Sequence, residues 1–212
     1  MSQHDAYLLP TAFGQAEFTE KRSRFIGRVW PVESEDEALE HIRQIREKHW
    51  DATHNVYAYA LRTGSVMRYS DDGEPQGSSG IPVLNVFRSA DISDFCCVVT
   101  RYFGGILLGT GGLARAYSQA ASAALVQAGI SEKRLWGRLM IDCPYPLYEK
   151  LKKELEQREA RICSSDFGSS VTLEALVKKE MCGELSEKIR DLSSGTVETL
   201  LVGEEYVAVP KT

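Results

Sequence analysis

Between Phe95 and Gly129 the chain passes from a strand-forming run, through a glycine-rich loop, into a helix of small residues: FCCVVTRYFGGILLGTGGLARAYSQAASAALVQAG. Few folds accommodate that order. The bulky, β-branched segment Phe95–Phe103 predicts a strand. The loop packs five glycines into the eighteen residues Arg101–Ser118. From about Gly112 to Ala128, Leu113, Ala116, Tyr117, Ala120, Ala124 and Ala128 recur at helical spacing, and Gly129 stands where a C-cap is expected. A stripe of alanines leaves little side chain between helix and neighbour, so this helix is expected to lie unusually close to a sheet.

Around this unit the pattern is mixed. Phe25–Trp30 alternates like a strand. Ser34 with Glu37 forms a capping box before Ala38, Leu39, Ile42 and Ile45, which predicts a helix over Ser34–His49. Asn55–Leu61 and Val66–Tyr69 form a hairpin closed through Thr63, Gly64 and Ser65, and Pro82 opens a short helix. From Arg134 the rhythm changes. A strand (RLWGRLMID), a charged amphipathic helix (PLYEKLKKELEQRE), a hairpin turning at Gly168, a helix (EMCGELSEKIRDLS) and a strand (TVETLLV) follow in the order βαββαβ. That is the split-βαβ, ferredoxin-like arrangement. The chain therefore divides into residues 1–132 and 133–212, an α+β protein of two domains.

The glycine loop invites two nucleotide readings, and both fail. Gly109-x-Gly111-x-x-Ala114 matches the dinucleotide pattern in form, but Gly109 lies six residues past the strand and the βα units that complete a dinucleotide fold are absent from the pattern. Gly104-x-x-x-x-Gly109-Thr110 resembles a Walker loop without its lysine. What remains is a helix N-terminus where the amides of Gly111, Gly112 and Leu113 favour an anion, with Arg101 and Arg115 able to reinforce it. Glycines serving only positive φ and close packing explain the same pattern equally well. In SDDGEPQG, the carboxylates of Asp71, Asp72 and Glu74 have the reach for a magnesium ion or an acid–base pair, although Asp-Gly and Glu-Pro also mark a tight turn. His54 opens a strand, where it either serves as a base, stacks on a nucleobase, or is simply a satisfied strand-end histidine.

Charge is uneven. The net charge of −5 argues against a surface built for bulk polyanion binding, yet Lys21, Arg22, Arg24 and Arg28 cluster beside one acid, and Arg101–Ser131 holds two arginines and no acid. The five cysteines lack C-x-x-C spacing and read as free thiols of a reducing compartment. No run is long and apolar enough to span a bilayer, and the N-terminus has no leader pattern, so the expected location is the cytoplasm with no membrane partner. No cofactor is expected.

Four blocks together resemble the IMPACT family, in particular its short bacterial, YigZ-type members: KRSRFIG (Lys21–Gly27), Thr53-His54 followed by NVYAYAL, SDDGEPQG with SSGIPVL, and VVTRYFGGILLGTGGLARAYS. Ser78-Ser79-Gly80 stands where the family usually shows Thr-Ala-Gly. The resemblance implies an N-terminal α/β domain of the ribosomal-protein domain-2-like superfold, with a left-handed βαβ crossover that sequence pattern alone would not suggest. It also implies a C-terminal ferredoxin-like domain, the pair being similar to domains IV and V of elongation factor G. The function expected is that of a non-enzymatic regulator of translation bound to RNA or the ribosome, with translation factors as further partners. Lys21, Arg24, Arg101 and Arg115 would meet phosphates, and His54 and Tyr102 would stack on bases. The rivals are an enzyme holding a small phosphorylated ligand and magnesium between SDDGE and the glycine loop, and a protein-interaction scaffold.

Overall fold

A computed structural model describes residues 6–211. It divides into two compact units, one comprising Tyr7–Glu132 with the end of the chain from Ala208, the other Lys133–Val207 with Ala6.

The N-terminal unit is built on an antiparallel sheet of β2 (Gly14–Glu20), β3 (Ser23–Pro31), β6 (Phe95–Tyr102), β4 (His54–Leu61) and β5 (Val66–Ser70), side by side in that order. β1 (Ala6–Pro10) precedes it and pairs with β7 (Ile130–Cys143). β3 and β4 each run antiparallel to β6 and so parallel to each other, which makes α1 (Glu35–Lys48) a crossover connection with β6 inserted between its two strands. β6 is central and buried on both faces. Phe95, Cys97 and Val99 join a core under α2 (Gly80–Ser89) and α3 (Thr110–Ala128), while Cys96 and Val98 join a second core under α1. Burial pushes the Cys96 and Cys97 thiols far up, which keeps them neutral.

The alanine stripe does what its composition allows. Ala116, Ala120, Ala124 and Ala128 are all buried, and β2 and β3 present glycines to them. A Cβ on Gly27 would sit 2.2 Å from the Ala120 carbonyl oxygen, and one on Gly14 would sit 2.3 Å from that of Ala124. Backbone therefore rests on backbone, and nothing larger than hydrogen fits. Ser34 caps α1 as expected, with Glu37 N donating to Ser34 Oγ at 3.2 Å, but the reciprocal half of the capping box lands one residue early, the Glu37 carboxylate accepting from the Glu33 amide at 2.8 Å.

In the C-terminal unit β7 is followed by α4 (Tyr145–Gln157), β8 (Arg161–Phe167), β9 (Val171–Lys178), α5 (Cys182–Leu192) and β10 (Thr199–Pro210). The strands lie in the order β8, β9, β7, β10, which is the ferredoxin-like arrangement. Leu151 and Leu155 of α4 and Leu185 and Ile189 of α5 seal Leu139, Ile141, Leu173, Ala175 and Val177 beneath them.

Two strands, β1 and β2, escape the sequence reading, and the last strand runs further than expected. β2 forms a hairpin with β3 although its tip is Lys21-Arg22, both in the left-handed region (φ 45° and 65°) where Asn-Gly is usual. β10 continues through Pro210, well past the expected TVETLLV.

Candidate functional site

The site is assembled where β4, β6 and the two glycine-bearing loops end together. Register places His54 of β4 and Phe25 of β3 on either side of Arg101 of β6. Arg101 lies between the rings of Phe25 and Phe103, 5.5 and 5.3 Å from their centroids. Its Nη1 donates to Glu74 Oε1 at 2.6 Å, in a pair whose side chains are 5% and 3% exposed. The same carboxylate oxygen accepts from the Tyr117 hydroxyl at 2.7 Å, and His54 Nε2 lies 3.7 Å away. Burial, followed by the neighbouring Glu74 charge, pushes the Tyr117 phenol well up, so it stays protonated and able to donate. His54 Nδ1 donates to the Asp72 carbonyl at 2.8 Å, which orients the ring.

Arg101, expected from sequence to meet phosphate, is instead buried at the cleft and paired within the protein. Its guanidinium is committed to Glu74 and, through Nη2, to Ser23 Oγ at 3.3 Å, because a buried cation needs a paired carboxylate and close acceptors. The pairing fixes one oxygen of Glu74 in place.

The three carboxylates of SDDGE are not brought together as a magnesium site. Asp71 accepts from the amides of Gly77 (2.8 Å), Ser79 (3.1 Å) and Gly80 (2.8 Å) and from Ser79 Oγ (2.7 Å), so it closes the turn and caps α2. Burial raises its pKa, but the hydrogen bonds from Gly77, Ser79 and Gly80 outweigh it and the net shift is downward. Asp72 accepts from Arg46 (2.6 Å) and from the Asn55 amide (2.7 Å), and only Glu74 reaches the cleft. Among the described residues no group of three or more His, Cys, Asp and Glu side chains is placed to hold a metal ion.

Two clefts flank the N-terminus of α3. The larger, about 470 Å³, has Glu74, His54 and Arg101 at its base, Phe103, Leu107 and Leu108 as apolar wall, and Gly109 and Thr110 at its rim. The smaller, about 190 Å³, is lined by Lys21, Arg115, Gly112 and Gln119, with Glu20 at its edge and Leu108 shared with the first. α3 has no side-chain cap at Gly109 and no acid in its first turn. The expected anion-binding trio shifts by one residue. Leu113 N already donates to Gly109 O at 2.9 Å, so the open amides are those of Thr110, Gly111 and Gly112. Leu113 contributes a buried side chain instead.

The remaining expected contacts differ in availability. Lys21, Arg22 and Arg115 are exposed and form no ion pair among the described residues. Arg24 is exposed but bonded to Glu17 at 2.8 Å, with Tyr102 under its guanidinium at 6.0 Å. The Tyr102 hydroxyl donates to Asp51 at 3.1 Å and lies 2.8 Å from His49 Nδ1. The glycine loop also receives an explanation. A Cβ on Gly104 would lie 2.0 Å from the Arg22 carbonyl carbon, so Gly104 lets the loop seat the Lys21-Arg22 tip, while Gly105 and Gly109 take positive φ.

Sequence reasoning missed a second buried network. Arg28 is only 4% exposed, yet it has no carboxylate partner among the described residues: it donates to Gln15 (2.9 Å), Thr100 (3.1 Å) and His49 Nε2 (2.8 Å). Because Nε2 accepts, His49 is the neutral Nδ1-protonated tautomer, and burial and then Arg28 hold its pKa below the ordinary value. No local pattern signals this set, whose members are 13 to 72 residues from Arg28.

Comparison with known proteins follows the same two-unit division. The family model for the Impact N-terminal domain matches residues 21–125, and that for Domain of unknown function (DUF1949) matches residues 141–196. The chain is 35% identical over 191 residues to IMPACT family member YvyE of Bacillus subtilis, covering 90% of this chain and 88% of that one. It is 31% identical over 203 residues to IMPACT family member YigZ of Escherichia coli, covering 94% and 100%. Protein IMPACT of Rattus norvegicus is 31% identical over 112 residues, 51% of this chain and 35% of that protein. A crystal structure of a hypothetical protein superposes with a TM-score of 0.59 at 30% identity, covering 93% of this chain and 98% of the other. No helix among the described residues is long and apolar enough to cross a membrane. With motifs, both matched domains and near full-length relatives in agreement, the chain belongs to the IMPACT family.

Proposed function

We propose that this protein is an RNA- or ribosome-associated regulator of translation that acts by binding, not by catalysis. The observation that carries the reading is the β2–β3 tip. Lys21 and Arg22 occupy left-handed backbone conformations in a two-residue turn where Asn-Gly would fit without strain, and both side chains remain exposed and unpaired among the described residues. Left-handed conformations of non-glycine residues cost on the order of 1 kcal/mol each and persist where something else requires the side chains. Gly104 holds this tip beside Arg115 and the open amides of α3, which gathers cations and dipole on one side of an acidic protein.

The test is the double substitution Lys21→Asn, Arg22→Gly. It relieves the turn, so stability should rise by about 1–2 kcal/mol. Co-sedimentation with ribosomes or single-stranded RNA should weaken, with the salt dependence shallower by roughly 1.4 log units per log unit of salt, the share of two cations. A protein that shows no association at low salt, or one indifferent to this substitution combined with Arg115→Ala, overturns the reading.

A further inference from the structure

The larger cleft holds a carboxylate only half used. Glu74 Oε1 is taken by Arg101 and Tyr117, whereas Oε2 has no hydrogen-bond partner among the described residues, in a side chain 3% exposed. Oε2 is not sealed in protein either. The buried side-chain atoms without partners among the described residues are Arg101 Nε, Trp136 Nε1 and Arg158 Nε, so Oε2 opens on the cleft that Glu74 lines. A polar atom held in so dry a place calls for a donor.

His54 supplies a second acceptor. Its Nδ1 carries the proton given to the Asp72 carbonyl, so the singly protonated tautomer keeps its lone pair on Nε2, 3.7 Å from Glu74 Oε1. Above these acceptors stand Phe103, Leu107 and Leu108, a wall suited to a flat ring, with Leu107 itself 81% exposed. At the rim begin the open amides of α3, and beyond Leu108 lie Lys21 and Arg115.

We propose that this cleft takes an unstacked nucleobase whose edge carries two adjacent N–H donors, the guanine class, with the attached phosphate at the Thr110–Gly112 amides, Lys21 and Arg115. Guanine sets N1–H and N2–H side by side against Glu74 Oε2 and His54 Nε2. Adenine sets one amino group beside a lone pair, which would face an acceptor. Base in the apolar cleft and phosphate in the basic one explains why both open on a single helix end. The inference rests on the RNA reading above and names where that RNA is read, although a free nucleotide has the same chemistry.

The experiment measures binding of the full chain to guanosine and adenosine 5′-monophosphates, and to single-stranded RNA pentamers with one central G or A among uridines. A tenfold or greater preference for G is expected in at least one pair, and the pair that shows it identifies the source as RNA or free nucleotide. Glu74→Gln should erase the preference. Because that change disturbs a buried ion pair, Thr110→Glu provides a second variant. An acid in the first turn of α3 favours the helix, so it should fold at least as well, yet it should weaken binding at least tenfold by repelling the phosphate. Equal binding of G and A in both pairs overturns the proposal, as does a G preference that both variants leave intact. Pentamers bound without base preference would leave the RNA reading standing and remove this one, whereas G-selective binding of the mononucleotide without any RNA or ribosome association would do the reverse.

Discussion

Replacing Arg101 by Met separates a positioning role from a phosphate contact. Methionine keeps most of the side-chain volume between Phe25 and Phe103 but removes the cation, so Glu74 is left with Tyr117 as donor in a site where its side chain is 3% exposed. The pair is 2.6 Å apart. At an effective dielectric near 20, charges about 4 Å apart attract by about 4 kcal/mol, and removing one partner of a buried pair costs about 3–5 kcal/mol because the other charge stays behind. For a chain of this size each kcal/mol moves Tm by about 2–4 °C, which gives a drop of about 6–20 °C. Glu74→Gln on the Arg101→Met background removes the stranded charge and should recover most of the loss. The measurement is urea and thermal unfolding in a Trp136→Phe background, where Trp30 and Trp50 report on the N-terminal unit. Arg101→Met within 1 kcal/mol of the parent, or a double variant no better than the single, would refute the reasoning and return Arg101 to the list of free cations.

Two further outcomes follow from packing and titration. Gly27→Ala places a methyl 2.2 Å from the Ala120 carbonyl oxygen, which only a shift of α3 can relieve; urea unfolding should show a loss of about 1–3 kcal/mol or more, and a change below about 0.5 kcal/mol would mean that the close helix contact is not under constraint. His49 is held neutral in the fold, its pKa lowered by burial and by Arg28, so the unfolded chain binds more protons once pH falls below the unfolded histidine value of about 6.5, and stability must decline from there downward. Urea midpoints between pH 7.5 and 5 should fall for the parent protein and less steeply for His49→Gln, with His41, also lowered by burial, keeping its own share. Identical slopes for the two proteins would exclude the Arg28–His49 contact as the cause.

What was legible in the sequence was what repeats locally. β6 and α3 announce themselves because a strand buried on both faces must be apolar throughout, and because alanine at four-residue spacing has few other uses. The βαββαβ order of the second unit survives for the same reason: α4 and α5 each carry an apolar stripe that only a sheet can cover. β2 left no such trace. Its sequence GQAEFTE buries little besides Gly14, and the turn that joins it to β3 lacks the glycine or asparagine by which hairpins are recognised. The buried pairing of Arg101 is not legible because arginine is rarely buried, and its carboxylate stands 27 residues away in a turn without periodicity. The shift of the open amides has a smaller cause. α3 begins at Thr110 and not at Gly112, since glycine at its second and third positions weakens the helix signal without preventing the helix.

The glycines of the loop therefore divide their work. Gly104 admits the hairpin tip, Gly105 and Gly109 turn the chain, and Gly111 and Gly112 keep side chains away from the end of α3. A loop required only to join a strand to a helix would need the second group. It would have no need of Gly104, whose bare α-carbon is set by two strained cations from the far end of the sheet edge, nor of an uncapped helix end with no acid in its first turn. Each of those choices costs stability, since a cap or an early acid contributes about 0.3–1 kcal/mol and an Asn-Gly tip about as much again. Their convergence on one helix end, between a basic cleft and an apolar one, is the cost that the proposed ligand, an anion with a flat ring attached, would recover on binding.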